Sequence, residues 1–567
     1  MFITTLEVFF YILAIYWVCL AIGNFPYRGK SDRSISDKFW LAWGGIIVIS
    51  QIWNLVFSVN LSFSLFIVLG GLVGLYFLFK QLKGMFAFNL GLVLIPFGLI
   101  FLLWLSNRAL SPNLNEDSGL YHLGVVNWIL EYPAVQGLGN LHARLAFNNA
   151  SLLFPAFLDS LNFRISSLRW CNGLLIFALF VDYLFCLWIH RKAESKHSCF
   201  LLLFTLSTLS LLFYLSFAAI GLDTDVPVMI LGLVLIRKFI SYLVFNDKDF
   251  RLLPFLFLCS VGFTLKLSFG VFCFIMSLIV LLTCLIRSEF KLRPISIACI
   301  IGIPMLVIVP FVARGYVMSG YPFFPSTIGG IDVDWRVPKD EAKLHTYAIR
   351  SFARDSSYEH INSMEDMEQW DWFKPWLFNH FKGVKELWII TLPLLGSCIL
   401  LISNLFLPRR VLAREYLLLW VPFLFGFAFW SIAPSPRFAG TLFWYCFIVA
   451  LIPLVEIIHS KSKIIFRFLP LYVGMISTLV FLGGYYLKPE SVFTHASVFG
   501  KNWPIPKTLY NTHQISEHVE LYTPVSSDCL SWDLPLPSGP ARPLHLELRN
   551  KDDLREGFLD RRINVDK

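Results

Sequence analysis

Apolar residues in this chain come in long blocks broken by short polar clusters. The first block, LEVFFYILAIYWVCLAIG (6–23), continues for the 18 or so residues that a hydrocarbon layer about 30 Å thick demands of a spanning helix. Windows of that length predict about fourteen transmembrane helices. They lie near 5–24, 39–58, 61–79, 86–106, 171–190, 198–217, 226–243, 252–266, 268–286, 295–313, 386–407, 415–432, 439–458 and 464–486. Two of these, 252–266 and 415–432, are short, and the break near Ser268 reads either as a turn or as a kink in one helix. Strands of a membrane barrel would alternate apolar and polar residues over about 10 positions, and these blocks do not. The first block has no basic region before it and no small-residue cleavage site after it, so it reads as a retained span.

The loops supply an orientation. YRGKSDRSISDK (27–38), KQLKG (80–84), HRKAESKH (190–197), RSEFKLR (287–293), PRRVLAR (408–414) and HSKSKIIFR (459–467) are rich in Lys and Arg. Such loops stay cytoplasmic, and all of them do so if the N-terminus is outside. The long polar segments 107–170 and 314–385 and the tail after 486 then share the opposite face. The expected organisation is an all-α polytopic membrane domain over 1–486, with external loops 107–170 and 314–385. A small extracytoplasmic cap of mixed α/β or extended structure follows at 487–567. Within it HVELYTPVSSDCLSWDLPL carries strand-forming Val, Leu and Tyr, then turn residues.

Composition agrees with a membrane class. Of 567 residues, 56% are hydrophobic and only 15% charged, against about 45–50% and about 25% in soluble domains. The formal charge of +9 follows from the basic loops, so it gives no reason to expect nucleic acid as a partner. The 11 Cys lie mostly inside apolar blocks without a CxxC pair, which excludes a disulfide framework and a cysteine metal site. Cys529, Trp532 and Asp533 stand together in the tail, but a lone Cys without a basic partner reads as structural. No internal repeat, phosphate-binding P-loop or GxGxxG is present.

In so apolar a chain each charge near a span is conspicuous. NEDSGLYHLGVVNWILEY (115–132) carries Glu116, Asp117, His122 and Glu131 just after a span. It predicts a short amphipathic helix in the membrane interface, with Asp117 or Ser118 as N-cap and Pro133 ending it. Asp117 is then either a cap or a general base whose basicity rises through partial desolvation. The same loop continues with His142, Arg144, Asn148 and Asn149. LDTD (222–225) opens a span with Asp223 and Asp225, which either cap that helix or form a weak metal pair. Lys266 interrupts GFTLKLSFG, Arg314 ends a span before GYVMSGYPFFPS, and Arg437 sits in the Pro-bounded turn APSPRFAG. Three cations gathered on one face suit an anionic headgroup, and Arg suits phosphate in particular.

These segments resemble the GT-C superfamily of integral-membrane glycosyltransferases: an acid in the first large external loop just after a span, amphipathic loop helices, many spans and an extracytoplasmic C-terminal domain. EDSGLYHLGVVNWI, KLS, SGYPFFPS and PSPRF also look like a multi-spanning bacterial family placed near that superfamily. The resemblance covers most of the spans and 107–170. It implies transfer of a sugar from a polyprenyl-phosphate donor to a glycan or lipid acceptor, with inversion, on the outer face of a bacterial inner membrane. By that analogy Asp117 is the catalytic base, and Lys266, Arg314 and Arg437 hold the phosphate leaving group. Glu116, Tyr121, His122, His142, Arg144 and Tyr321 complete the substrate-facing set, with Tyr121, Trp128 and Tyr321 stacking on sugar or flanking lipid. Many members carry a second carboxylate pair that binds metal. Here only Asp223 and Asp225 are loosely placed for one, so a divalent cation stays open. The rival readings are a lipid-linked glycan polymerase or ligase, and a transporter or flippase. The absence of related halves counts against transport.

Overall fold

The computed structural model describes residues 2–24, 35–82, 88–110, 115–190, 194–217, 219–288, 293–355, 370–380, 387–405, 414–461, 505–551 and 553–562. Every expected span that falls among them is helical. The long helices are Phe2–Gly23, Ile35–Asn54, Leu61–Leu82, Phe88–Arg108, Cys171–His190, Lys196–Phe217, Asp225–Phe245, Leu252–Leu265, Leu267–Ile286, Pro294–Ser319, Leu392–Leu405, Arg414–Trp430 and Leu442–Lys461. The expected span 464–486 lies outside the described residues. Among the described residues, seven helices are long and apolar enough to cross a membrane. The chain is a helical membrane protein. Others are apolar but shorter: Leu252–Leu265, with 14 residues, is about 21 Å long at about 1.5 Å per residue. Exposed apolar side chains such as Phe66, Val73, Ile301, Leu306 and Ile399 form the lipid-facing surface that so apolar a bundle needs.

Asp225–Phe245 runs through the centre, with 78% of its apolar window buried. It touches Cys171–His190, Lys196–Phe217, Leu252–Leu265, Leu267–Ile286 and Arg414–Trp430. Its Gly232 meets Thr441 so closely that a Cβ there would lie 2.2 Å from Thr441 Oγ1. The break near Ser268 is a hairpin turn, not a kink. Lys266 is the single extended residue (φ −160°, ψ 125°) between Leu252–Leu265 and Leu267–Ile286. Two glycines let these helices approach: a Cβ on Gly262 would lie 2.7 Å from Cys273 Sγ, and one on Gly270 2.6 Å from Phe263.

In the loop after Phe88–Arg108 a single π-turn, Ser118–His122, runs straight into the helix Leu123–Glu131. Tyr132 is extended ahead of Pro133, as the ring of a following proline requires. The sequence suggested an amphipathic helix here. Leu123, Val125, Val126, Trp128 and Ile129 are all buried; the helix packs on Leu153–Asp159, and the tail adds a contact to Trp128. In the tail, Tyr510–Gln514 pairs antiparallel with Glu520–Pro524, and Leu546–Leu548 with Phe558–Asp560. Phe558 packs edge-on against Trp128, with ring centroids 5.9 Å apart, and its N–H donates to the Gln136 carbonyl at 2.9 Å. Arg549 pairs with Asp334 at 3.1 Å, and Arg562 with Glu341 at 3.1 Å, joining the same segment to the stretch after Pro294–Ser319.

Candidate functional site

Four junctions between helices deliver charged side chains to one place. Asp117 follows the fourth helix, Asp225 opens the central one, Lys266 tips the hairpin, and Arg437 sits in the turn before Leu442–Lys461. Arg437 Nη2 lies 2.5 Å from Asp117 Oδ2, and Arg437 Nε lies 3.2 Å from Asp225 Oδ2. Lys266 Nζ contacts Asp225 Oδ1 at 2.5 Å and donates to the Arg437 carbonyl at 2.7 Å. Arg144, from the loop, reaches Asp117 Oδ1 at 3.5 Å, and its guanidinium lies over the Tyr121 ring, 5.6 Å from the centroid. Lys266 Nζ similarly sits 4.9 Å from the centre of the Phe438 ring.

Local hydrogen bonds aim each of these groups. Asn115 Oδ1 accepts from the Asp117 N–H at 2.9 Å and so starts the turn that presents Asp117. Asp117 itself makes no capping hydrogen bond, and Ser118 Oγ accepts from the Leu222 N–H at 2.9 Å. Neither residue is therefore the N-cap expected from the sequence. Asp117 is freed for ion pairing, while Ser118 docks the 221–225 segment. There Gly221 has φ +92°, a conformation that favours glycine, and a Cβ on it would press on Ser118 Oγ. Asn172 Nδ2 donates to the carbonyls of Gly221 and Asp223, each at 3.0 Å. Asp223 Oδ1 accepts from the Asp225 N–H at 2.9 Å, which is the helix-start role. On the other side, Trp376 Nε1 donates to the Pro434 carbonyl and Trp430 Nε1 to the Ser435 carbonyl, both at 2.8 Å. Two indoles thus fix the turn that carries Arg437.

The electrostatics correct one expectation. Burial alone would raise the Asp117 carboxyl, but Arg437, His122 and Arg144 outweigh it and hold the group below the usual carboxylate range. At rest Asp117 is a weaker base than a free aspartate. Burial lowers Arg437, yet Asp225, Asp117 and Asp223 together push its pKa above the ordinary value. His122 is fully buried, neither ring nitrogen has a hydrogen-bond partner among the described residues, and burial brings it down to about 4. It is therefore neutral at pH 7. Burial, with Arg144 and His345 nearby, likewise brings His142 to about 3.

The other sequence candidates divide. Tyr121 and Arg144 join the cluster, and Glu116 is exposed beside it. Arg314 does not join. It is buried in its own helix and bonds Asn148 Oδ1 at 3.0 Å, because its face of Pro294–Ser319 turns toward the loop helices. Tyr321 is buried with its hydroxyl on the Val337 carbonyl, and Trp128 is buried under Phe558, so neither ring is presented to a sugar. Asp225 has both oxygens engaged by cations, which leaves it poorly suited to a metal, and among the described residues no group of three or more His, Cys, Asp or Glu is arranged to hold one.

The sequence offered the tail as a cap but did not say which of its residues would meet the site. Ser531 N–H donates to the Gly119 carbonyl at 2.9 Å, and the Trp532 indole lies on Gly119, where a Cβ would come within 2.3 Å of its Cε2. A glycine two residues after the acid was the available signal. The model of a family described as a domain of unknown function, DUF8201, matches residues 1–444. The chain belongs to that family. Asp117, Arg144, Asp225, Lys266 and Arg437 all lie in the DUF8201 match, whereas Trp532 lies beyond it. No curated protein and no solved structure matches the chain.

Proposed function

We propose that the protein is a GT-C-type membrane glycosyltransferase. It would move a sugar from a polyprenyl-phosphate donor to a glycan or lipid acceptor at the extracytoplasmic face. What supports this reading is the direct contact of Asp117, an acid able to act as base, with Arg437, a cation suited to phosphate, inside one network that also holds Lys266 and Arg144. The reading takes the N-terminus as outside, fourteen spans with 464–486 as the last, and 487–567 as a cap over the site.

In the proposed reaction the acceptor oxygen attacks the anomeric carbon from the face opposite the phosphate. The carbon–oxygen bond to phosphate breaks, its electron pair stays on the phosphate, and configuration inverts. The acceptor proton passes to Asp117. The donor phosphodiester carries one negative charge and the released lipid phosphate gains a second, which Arg437, Lys266 and Arg144 stabilise as it develops. As Arg437 turns to the phosphate it leaves Asp117, whose basicity then rises. Binding of the donor thus prepares the base.

The test is a panel of polyprenyl-phosphate sugars incubated with the protein in nanodiscs, scored for release of lipid phosphate. Wild type should release it from one donor, and Asp117→Asn should lower the rate by about 10²–10⁴-fold, the range of a lost general base, with expression and insertion retained. Full turnover in that variant would remove the base assignment. Release only from pyrophosphate-linked oligosaccharides would favour a polymerase or ligase.

A further inference from the structure

We infer that residues 370–378 are an anchor seated in the headgroup layer of a lipid leaflet, at the end of the bundle that carries Arg437. The inference is independent of the proposed reaction. The segment, WDWFKPWLF, holds three Trp and two Phe in nine positions. These rings divide into two sets. Trp372 is buried and Trp376 half-buried, and both face the protein. The Arg354 guanidinium lies 4.9 Å from the centre of the Trp372 ring, and Trp376 packs on Trp430 with centroids 6.1 Å apart. Trp376 also donates to the Pro434 carbonyl, three residues before Arg437. The other set, Trp370, Phe373 and Phe378, is open together with Leu377; Trp370 is 74% and Phe378 58% exposed. Phe373 and Leu377 are four apart in the helix Phe373–His380 and so share a face.

Four large apolar side chains left open in so short a stretch mark a docking surface. What the segment touches says what covers it. Trp430 ends the apolar helix Arg414–Trp430, whose Leu424, Phe425, Phe427 and Phe429 are exposed. That helix packs on Leu267–Ile286, one of the seven long enough to span. Ile432, just past its end, is exposed too. The open rings therefore sit at the end of a lipid-facing helix, the level at which tryptophan concentrates in membrane proteins because its ring is apolar and its N–H can reach water or headgroups. Asp371 and Lys374 are exposed between the rings. Charges so placed are costly in hydrocarbon and are depleted from the cores of protein interfaces, whereas a headgroup layer accepts them. Through Trp376 the anchor holds the Arg437 turn at headgroup depth.

The test puts one nitroxide at a time on the full chain in phosphatidylcholine nanodiscs, with Cys299, Cys398 and Cys529, the cysteines that are not buried, changed to Ser. Trp370→Cys, Phe373→Cys, Phe378→Cys and Ile432→Cys carry the label at exposed positions that the fold does not need. The readout is the collision rate with oxygen, which concentrates in lipid, relative to that with a water-soluble nickel chelate. Free label in buffer gives the value for water. A label at Leu306, exposed near the middle of Pro294–Ser319, gives the value for hydrocarbon. All four positions should lie severalfold above the water value and below the hydrocarbon value. Ratios equal to that of free label, as on a surface open to water or awaiting a protein partner, would overturn the assignment. So would ratios equal to that at Leu306, or exclusion of both reagents, as under a second copy of this chain.

Discussion

Removing Arg437 is the most informative perturbation of the ion-pair network, because one guanidinium serves two carboxylates. In Arg437→Gln, Asp225 keeps Lys266 at 2.5 Å, whereas Asp117 keeps only Arg144 at 3.5 Å, whose side chain is 42% exposed. A neighbouring guanidinium lowers an aspartate by about 1–3 units, and losing it leaves desolvation in control. Asp117 should then titrate above about 4, the ordinary aspartate value. Breaking a fully buried pair costs about 3–5 kcal/mol. Asp117 and Arg437 are 16% and 30% exposed, so about 2 kcal/mol is the reasonable expectation once solvent screening is allowed for. The assay is a double-mutant cycle with Asp117→Asn, followed by reversible SDS unfolding. Neutralising the stranded carboxylate should recover part of the loss, a coupling of about 1–2 kcal/mol. The pH dependence has a definite sign. The folded Asp117 carboxyl lies below its unfolded value, so its stabilisation is present above the ordinary carboxylate range and lost as pH falls through the folded pKa. The gap between wild type and Arg437→Gln should therefore narrow in acid. Additive losses, or a gap independent of pH, would refute the pairing as an energetic feature.

Two further outcomes follow from the surroundings of Asp117. Gly119→Ala places a Cβ 2.3 Å from Trp532 Cε2, so the indole must move. The expected cost is about 1–3 kcal/mol, seen as faster proteolysis within 505–562 while the spans stay protected; an unchanged cleavage rate would show that the tail is not held there. His122 has a folded pKa of about 4, below its unfolded 6.5. Its stabilisation is present above pH 6.5 and is lost as pH falls toward 4, roughly 3 kcal/mol over that interval. His122→Asn should flatten the stability profile between those limits, and a profile of unchanged slope would contradict a buried neutral imidazole.

The spans were legible because blocks of apolar residues have few other uses, and the positions of Asp117, Asp225, Lys266 and Arg437 were legible because a charge beside such a block is costly and therefore conspicuous. Their partnership was not. Asp225 and Arg437 are 212 residues apart, and nothing local says that their turns meet. Arg314 illustrates the limit: like Arg437 it comes at a span end beside an aromatic and proline-rich turn, yet helix rotation sends it inward to Asn148. The direction of the Asp117 shift was misjudged for a related reason. Desolvation can be guessed from depth, but the opposing Coulomb interactions depend on which cations arrive from distant segments. Gly119 carried a faint signal, since DSGLY reads as an ordinary turn until Trp532 is seen against it.

The charge balance bears on how an anion would enter this network. Among the described residues, Asp117, Asp223 and Asp225 give −3 and Arg144, Lys266 and Arg437 give +3, so these six side chains sum to a formal charge of zero. In the proposed reading an arriving phosphate would draw a cation from one of these carboxylates. Asp225 and Lys266 are the more buried pair, at 4% and 16% exposure, and Lys266 also holds the Arg437 carbonyl. Breaking that pair would strand a deeply buried charge and release the turn. Asp117 and Arg437 are more exposed, and Asp117 retains Arg144 when they part. The exchange therefore falls on the Asp117–Arg437 contact, the one whose opening leaves a carboxylate beside the bound phosphate with its basicity restored. In the proposed transferase the resting ion pair and the active base are two states of the same residue, separated by where Arg437 points.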